Sequence, residues 1–352
     1  MIKYALLALT ISLSFSATQE KPKAPAPAPP PQRASEKDKT YPSMGHIERL
    51  DPGLDQLVAP SAVIEKLASG FRWAEGPVWV KNSDYLLLSD VPNNVIFRWQ
   101  QRVGTRVFQE PSGYTGSDPA LKEAGSNGLA LDRNGNLFIC QHGDREIARF
   151  TKDKKLIPFA RYYNYRRFNS PNDLVFKSTG DLYFTDPPYG LPKGNTDPAK
   201  ELIYSGVFKV SPKGEVTLLT SELSYPNGLA FSPDEKTLYI AVSDQKHPAV
   251  LAYEVLADGK LGSSRLFFDP TPLMEGRKGV PDGLKVDKAG NVWATGPGGV
   301  LVISPEGKHL GTINTGEPTA NCAFGGKDGS VLYITANTYL CRIQTLTHGT
   351  GF

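Results

Sequence analysis

Cysteine is scarce in this 352-residue chain, and Cys140, Cys322 and Cys341 are too few to build a disulfide framework. An excess of one charge is missing as well. Lys and Arg number 39 against 36 Asp and Glu, and setting aside the seven basic and four acidic residues of positions 1–50 leaves 32 of each. A neutral body argues against a nucleic-acid surface, which needs clustered cations to neutralise phosphates. Long apolar runs are absent too. The one at Tyr4 to Phe15 falls short of the roughly 20 residues of a membrane-spanning helix. Helical periodicity persists nowhere in the body beyond about two turns. Neither a GxSxG elbow nor an HExxH zinc motif occurs, so the sequence offers no nucleophilic serine of that kind and no zincin site.

Turn formers are plentiful. Gly (34) and Pro (29) together exceed the usual share, and the excess persists beyond residue 50, which suits many short strands joined by tight turns. Lys3, the apolar stretch after it and the small residues Ser14 and Ser16 read as a signal peptide over 1–16, predicting a periplasmic or secreted protein with no transmembrane span in the mature chain. Residues 17–50 alternate Pro and Ala and then turn charged, the composition of a disordered spacer. The folded domain is expected over 51–352.

One phrase recurs through that domain: a polar residue, a short apolar alternation, a turn and a second alternation. It begins at Glu75 in EGPVWVKNSDYLLLSD, Asn127 in NGLALDRNGNLFICQ, Asn172 in NDLVFKSTGDLYFTD, Asn227 in NGLAFSPDEKTLYIAV, Asp282 in DGLKVDKAGNVWATG and Asn321 in NCAFGGKDGSVLYITA. Each copy is a hairpin by its period-2 patterning, and a repeat of about 50 residues has room for four strands. Six such units predict an all-β, six-bladed β-propeller. Residues 62–67 (AVIEKL) precede the first copy and are expected to pair into the last blade, closing the ring and removing its free edges.

The first strand of a propeller blade lines the central channel, so the six repeat-starting residues should converge on the axis. Asn-Gly and Asp-Gly are also ordinary turn formers, but here the hairpin turn lies several residues downstream. Buried oxygen-bearing groups with no basic partner are costly unless something satisfies them, and a divalent cation would. Two carboxylates and several amide oxygens, with no His or Cys in phase, suit Ca²⁺, Mg²⁺ or Mn²⁺ better than Zn²⁺.

The phrases AEGPVW, NSPNDLVF with LYFTDPPYG, YPNGLAFSPDEKTLYIA and GVPDGLKVDKAGNVW resemble the SMP-30/gluconolactonase family of metal-dependent lactonases from about residue 57 to 345. The resemblance implies a metal site in the channel formed by Glu75, Asn172, Asn227 and Asp282, with Asp282 also the catalytic general base. It implies hydrolysis of a sugar lactone, with one divalent cation, Ca²⁺ first and Mg²⁺, Mn²⁺ or Zn²⁺ as alternatives. Where animal members carry an Arg two residues before the second of these ligands, this chain has Ser170, and Arg166 or Arg167 is the candidate substitute.

Asn127 and Asn321 share the ring without belonging to that ligand set and are expected to contact substrate, together with His142 and Tyr189 near the channel mouth. Connections at 111–125, 160–170, 187–201 and 269–279 should gather on that face. Trp73, Trp79, Trp99 and Trp293 are expected in the cores between blades, and Cys140 and Cys322 as buried thiols. A phosphotriesterase-like hydrolase on the same scaffold and a non-catalytic sugar- or partner-binding propeller are the alternative functions.

Overall fold

Each repeat-starting phrase folds as the inner hairpin of a four-stranded antiparallel sheet. The computed structural model describes residues 40–351 except 152 and 154, so the signal peptide and the spacer up to residue 39 lie outside the described residues. Blade 1 runs Ala74–Val80, Tyr85–Asp90, Val95–Gln100 and Gly104–Gln109; blade 2 runs Ser126–Leu131, Leu137–Gln141, Glu146–Phe150 and Leu156–Ala160. Blade 3 is built from Leu174–Phe176, Leu182–Asp186, Gly206–Val210 and Val216–Thr220, and blade 4 from Pro226–Phe231, Thr237–Val242, Ala249–Val255 and Leu261–Phe268.

Blades 5 and 6 each recruit a strand from the other end of the chain. Blade 6 (Thr319–Gly325, Val331–Ala336, Tyr339–Gln344) takes Glu65–Ser69 as its outer strand, paired in the register Glu65 with Arg342 and Ser69 with Tyr339. The ring is thus closed by the segment expected to close it.

Blade 5 (Leu284–Val286, Val292–Gly296, Gly299–Ile303, His309–Asn314) gains a fifth strand, His46–Arg49, paired with His309–Asn314. The spacer boundary expected at residue 50 is corrected accordingly. Residues 46–49 are fixed because Gly311, having no Cβ, admits the Glu48 carbonyl, and because Arg49 donates to Asp55 Oδ1 at 2.5 Å and to the carbonyls of Val58 and Ala59 at 3.0 and 2.7 Å.

The period-2 rule explains how a sheet can be buried on both faces. Leu86 and Leu88 enter the core between blades 6 and 1, while Leu87 between them enters the core between blades 1 and 2. Phe184 likewise joins the core shared with blade 2, and its neighbour Tyr183 the core shared with blade 4. Six apolar clusters therefore alternate with six blades, which is why runs such as LLL and LYF lack the polar alternation of a half-exposed sheet. Trp79, Trp99 and Trp293 are buried in these clusters, as expected, whereas Trp73 is partly exposed. Cys140, Cys322 and Cys341 are buried free thiols. No helix among the described residues is long and apolar enough to cross a membrane.

Hydroxyls at the ends of second strands hook neighbouring blades together near the axis. Ser89 of blade 1 donates to the Asn127 carbonyl at 2.8 Å, and Thr185 of blade 3 donates to the Asn227 carbonyl at 2.7 Å. Ser243, just past blade 4, donates to the Pro281 carbonyl at 2.5 Å, and Thr295 of blade 5 to the Ala320 carbonyl at 3.0 Å. These bonds fix the height at which each repeat-starting residue enters the channel.

Candidate functional site in the channel

The glycines after the repeat-starting residues owe their place to crowding at the axis. A Cβ on Gly128 would stand 2.7 Å from the Asn172 carbonyl oxygen, and one on Gly228 would stand 2.3 Å from that of Asp282. The backbones of adjacent blades touch there: Gly128 N donates to Asn172 O at 2.7 Å and Gly228 N to Asp282 O at 3.1 Å. At the repeat starts Asn-Gly is a feature of close approach, and the hairpin turns lie downstream of it. Blade 3 breaks the pattern, because the residue after Asn172 is Asp173, whose carboxylate occupies the space left beside Gly128.

The six repeat-starting side chains fall into two hydrogen-bonded groups. Asn127 Nδ2 donates to Asn172 Oδ1 at 2.9 Å, and Asn172 Nδ2 to Asn227 Oδ1 at 2.6 Å. Asn227 Nδ2 donates to Ser243 Oγ at 2.9 Å, and the same amide hydrogen-bonds Asp282. On the opposite side Asn321 Nδ2 lies 3.1 Å from Glu75 Oε2 and 3.2 Å from Asp173 Oδ2. Glu75 Oε2 also accepts from Gly76 N. Glu75, Asn127, Asn172, Asn227 and Asn321 are all buried, whereas Asp282 is half-buried.

Three carboxylates, those of Glu75, Asp173 and Asp282, share this region. Burial and the Asp173 charge push Glu75 up to about 7. Burial, then Glu75 and Asp173, raise Asp282 well above the ordinary carboxylate range, against the hydrogen bond from Asn227. The Lys285 charge partly offsets this at Glu75; its Nζ donates to the Leu284 carbonyl at 2.9 Å and lies 3.4 Å from Asn321 Oδ1. The channel is therefore short of positive charge.

The residues fit a hard divalent cation. Every candidate donor is an oxygen, the excess charge is negative, and Asn127 Oδ1 is buried with no hydrogen-bond partner among the described residues. No three His, Cys, Asp or Glu side chains among the described residues cluster closely enough to hold an ion by themselves, so any ion here depends on the amide oxygens of Asn172 and Asn227.

His142 and Tyr189 are brought to the same region, each with its polar atoms engaged. His142 is fully buried, with Nδ1 3.2 Å from the Glu123 carbonyl and Nε2 3.2 Å from Asn172 Oδ1, and burial pulls it down to about 4, so it is neutral. The Tyr189 hydroxyl hydrogen-bonds Ser243 and Asn227, and its ring stacks on Tyr225 with centroids 5.8 Å apart. Ser170 fixes that loop: its Oγ donates to the Pro187 carbonyl at 2.6 Å and accepts from Gly190 N at 2.9 Å. A small cavity of about 160 Å³, lined by Lys122, Glu123, Tyr189 and Leu191 among others, opens between the 111–125 and 187–201 connections.

Arg166 and Arg167 bind loop backbone: Arg166 Nη1 donates to the Glu201 carbonyl at 2.9 Å and Arg167 Nη2 to the Asp144 carbonyl at 2.9 Å. Asp173 and Ser243 belong to the network and were not singled out in the sequence. For Asp173 the signal was the loss of the glycine that follows the repeat-starting residue, a departure shared only with Cys322.

A six-bladed propeller with a buried, acid- and amide-lined channel defines the class of protein. Residues 73–338 match the family model described as SMP-30/Gluconolactonase/LRE-like region, and the chain belongs to that family. It is 40% identical over 326 residues to the gluconolactonase of Zymomonas mobilis subsp. mobilis, covering 90% of this chain and 91% of the relative. Bos taurus regucalcin is 27% identical over 266 residues, covering 74% of this chain and 82% of its own. The solved structure of a Xanthomonas campestris gluconolactonase superposes with a TM-score of 0.75 at 29% identity, covering 87% of this chain and 97% of that one.

Proposed function

We propose that this protein is a metal-dependent lactonase that opens sugar lactones of the gluconolactone type. The observation that carries the reading is the meeting of the Glu75 and Asp282 carboxylates with the Asn172 and Asn227 amides in one buried channel, on a chain 40% identical to a gluconolactonase. Those four residues would hold the cation, with Ca²⁺ the first choice for an all-oxygen set containing two neutral amides. A cation held there would supply Lewis acidity toward the lactone carbonyl and toward the attacking water.

The remaining work falls to the side chains. Asp282, raised by burial, accepts the proton of the attacking water as the water oxygen bonds to the acyl carbon. The acyl carbon's bond to the ring oxygen then breaks, and the leaving oxygen takes up a proton, so that water is added across one bond and an open hydroxy acid leaves. The Asn127 and Asn321 side-chain amides contact the substrate hydroxyls. The stacked Tyr189 and Tyr225 rings form an apolar wall for the sugar face. We also propose export to the periplasm or medium, on the strength of residues 1–16.

The test is gluconolactone hydrolysis by the intact protein before and after thorough chelation, with readdition of Ca²⁺, Mg²⁺, Mn²⁺ or Zn²⁺, alongside Asp282→Ala. Turnover is expected to vanish on chelation and in the variant, and to return with the preferred ion. Undiminished activity of the metal-stripped protein would overturn metal dependence. Hydrolysis of a paraoxon-type ester in preference to any lactone would overturn the substrate class.

A further inference from the structure

His142 stands between two acceptors. Its Nδ1 faces the Glu123 backbone carbonyl and its Nε2 faces Asn172 Oδ1, each at 3.2 Å. A neutral imidazole has one N–H to give, so one of these contacts sets lone pair against lone pair. The Glu123 carbonyl cannot turn: the backbone around it is held by His142 N on the Gly125 carbonyl at 3.1 Å and Gly143 N on the Ala124 carbonyl at 3.0 Å. The ring proton therefore belongs on Nδ1, and the group able to answer the Nε2 lone pair is the Asn172 amide, by presenting its Nδ2.

Asn172 is held the other way by Asn227. The Ser243 hydroxyl gives its proton to the Pro281 carbonyl at 2.5 Å and so offers only lone pairs to Asn227 Nδ2 at 2.9 Å. That turns Asn227 Oδ1 toward Asn172, 2.6 Å from its Nδ2. The Asn172 amide thus has two orientations, one serving Asn227 and one serving His142.

We propose that His142 is a positioning residue for the cation site, resting on the metal-dependent reading above: its Nε2 lone pair draws Asn172 Nδ2 away from the channel, so that Asn172 Oδ1 joins Asn227 Oδ1 in facing the cation. The two amide oxygens then confront each other, an arrangement stabilised only by a positive charge beside them. Without the cation the amide returns to donate to Asn227. Asn127 turns together with Asn172, because its Oδ1, buried without a partner among the described residues, is the acceptor for the second hydrogen of the turned amide. His142 thereby acts through Asn172, and its ring nitrogens do not touch substrate.

Calcium titration of the metal-stripped full chain by calorimetry tests this with His142→Leu, which removes the lone pair, and His142→Gln, whose Oε1 restores an acceptor. Outer partners of metal ligands are typically worth 10–100-fold in affinity. The leucine variant should bind Ca²⁺ weaker by that factor and the glutamine variant should recover most of it. A second readout needs no variant: the ¹⁵N resonance of His142 Nε2 in the wild type should shift on calcium addition as it begins to accept a hydrogen bond. Equal calcium affinity in the leucine variant, or an Nε2 resonance indifferent to calcium, overturns the inference. So does a raised KM for lactone with calcium affinity unchanged, which would make His142 a substrate contact. Failure of the wild type to bind any of the four ions overturns the metal-dependent reading itself.

Discussion

The Trp79 ring of the first blade lies flat on the Tyr333 ring of the last, with centroids 5.1 Å apart and planes 12° from parallel. Gly325 makes the room, since a Cβ there would come within 2.8 Å of the indole. This stack sits at the seam where the chain's two ends meet, and Trp99 leans on the same tyrosine at 5.8 Å. Trp79→Ala leaves a cavity at the closure and should cost about 3–5 kcal/mol, read as a lowered urea midpoint. A change below about 1 kcal/mol would mean that the seam is held by strand pairing alone.

Crowding at the axis gives a second expectation. Gly228→Ala places a methyl group 2.3 Å from the Asp282 carbonyl oxygen, a backbone atom with no rotamer to yield. Overpacking of this kind costs about 1–3 kcal/mol or more. Because the strain falls between Asn227 and Asp282, activity should be lost along with stability. An active variant of wild-type stability would show that the blades separate freely there.

Ser170 governs the loop that carries Tyr189. Removing its hydroxyl in Ser170→Ala breaks the bonds to Pro187 and Gly190. Each is worth about 1 kcal/mol net. Steady-state kinetics should show KM for lactone rising up to about tenfold with kcat little changed, because the loop lines the mouth and Ser170 touches no reacting atom. A fall in kcat at constant KM would contradict that assignment.

Asp186 predicts a pH dependence of folding. Burial raises it to about 7, against the bonds it accepts from Asn169 N and Ser170 N and the charges of Arg145 and Lys200. Its folded value lies above its unfolded one, so the folded state holds the proton more tightly. The stability it contributes is complete below about pH 4, declines as pH rises toward 7 and is flat above. Urea midpoints from pH 4 to 8 should fall more steeply in the wild type than in Asp186→Asn, and parallel profiles would refute the shift.

Legibility in the sequence followed the range of the interactions. Glu75, Asn127, Asn172, Asn227, Asp282 and Asn321 were readable because each opens a repeat whose period-2 pattern is local, and repeats place equivalent residues at equivalent heights. Asp173 was not, because its importance depends on Gly128 in the neighbouring blade leaving space for it. The glycines themselves were visible, but their reason was not, since a turn and a backbone contact both favour Gly. Residues 46–49 read as spacer because the partner strand that orders them lies more than 260 residues away. Arg166 and Arg167 were readable as nearby cations, and only the fold showed that they donate to the carbonyls of Glu201 and Asp144.

The sequence by itself determined the number of blades, the closing strand and the chemical character of the channel, because side-chain alternation and repeat phase are properties of the chain. Tertiary structure alone decided how the channel groups are paired: which amide faces Asn227, which two acceptors flank the His142 ring, and how burial and neighbouring carboxylates raise Glu75 and Asp282. Those outcomes arise from approaches of 2.6–3.2 Å between residues as much as 246 positions apart, a distance scale on which hydrogen-bond direction and burial act and sequence spacing carries no information.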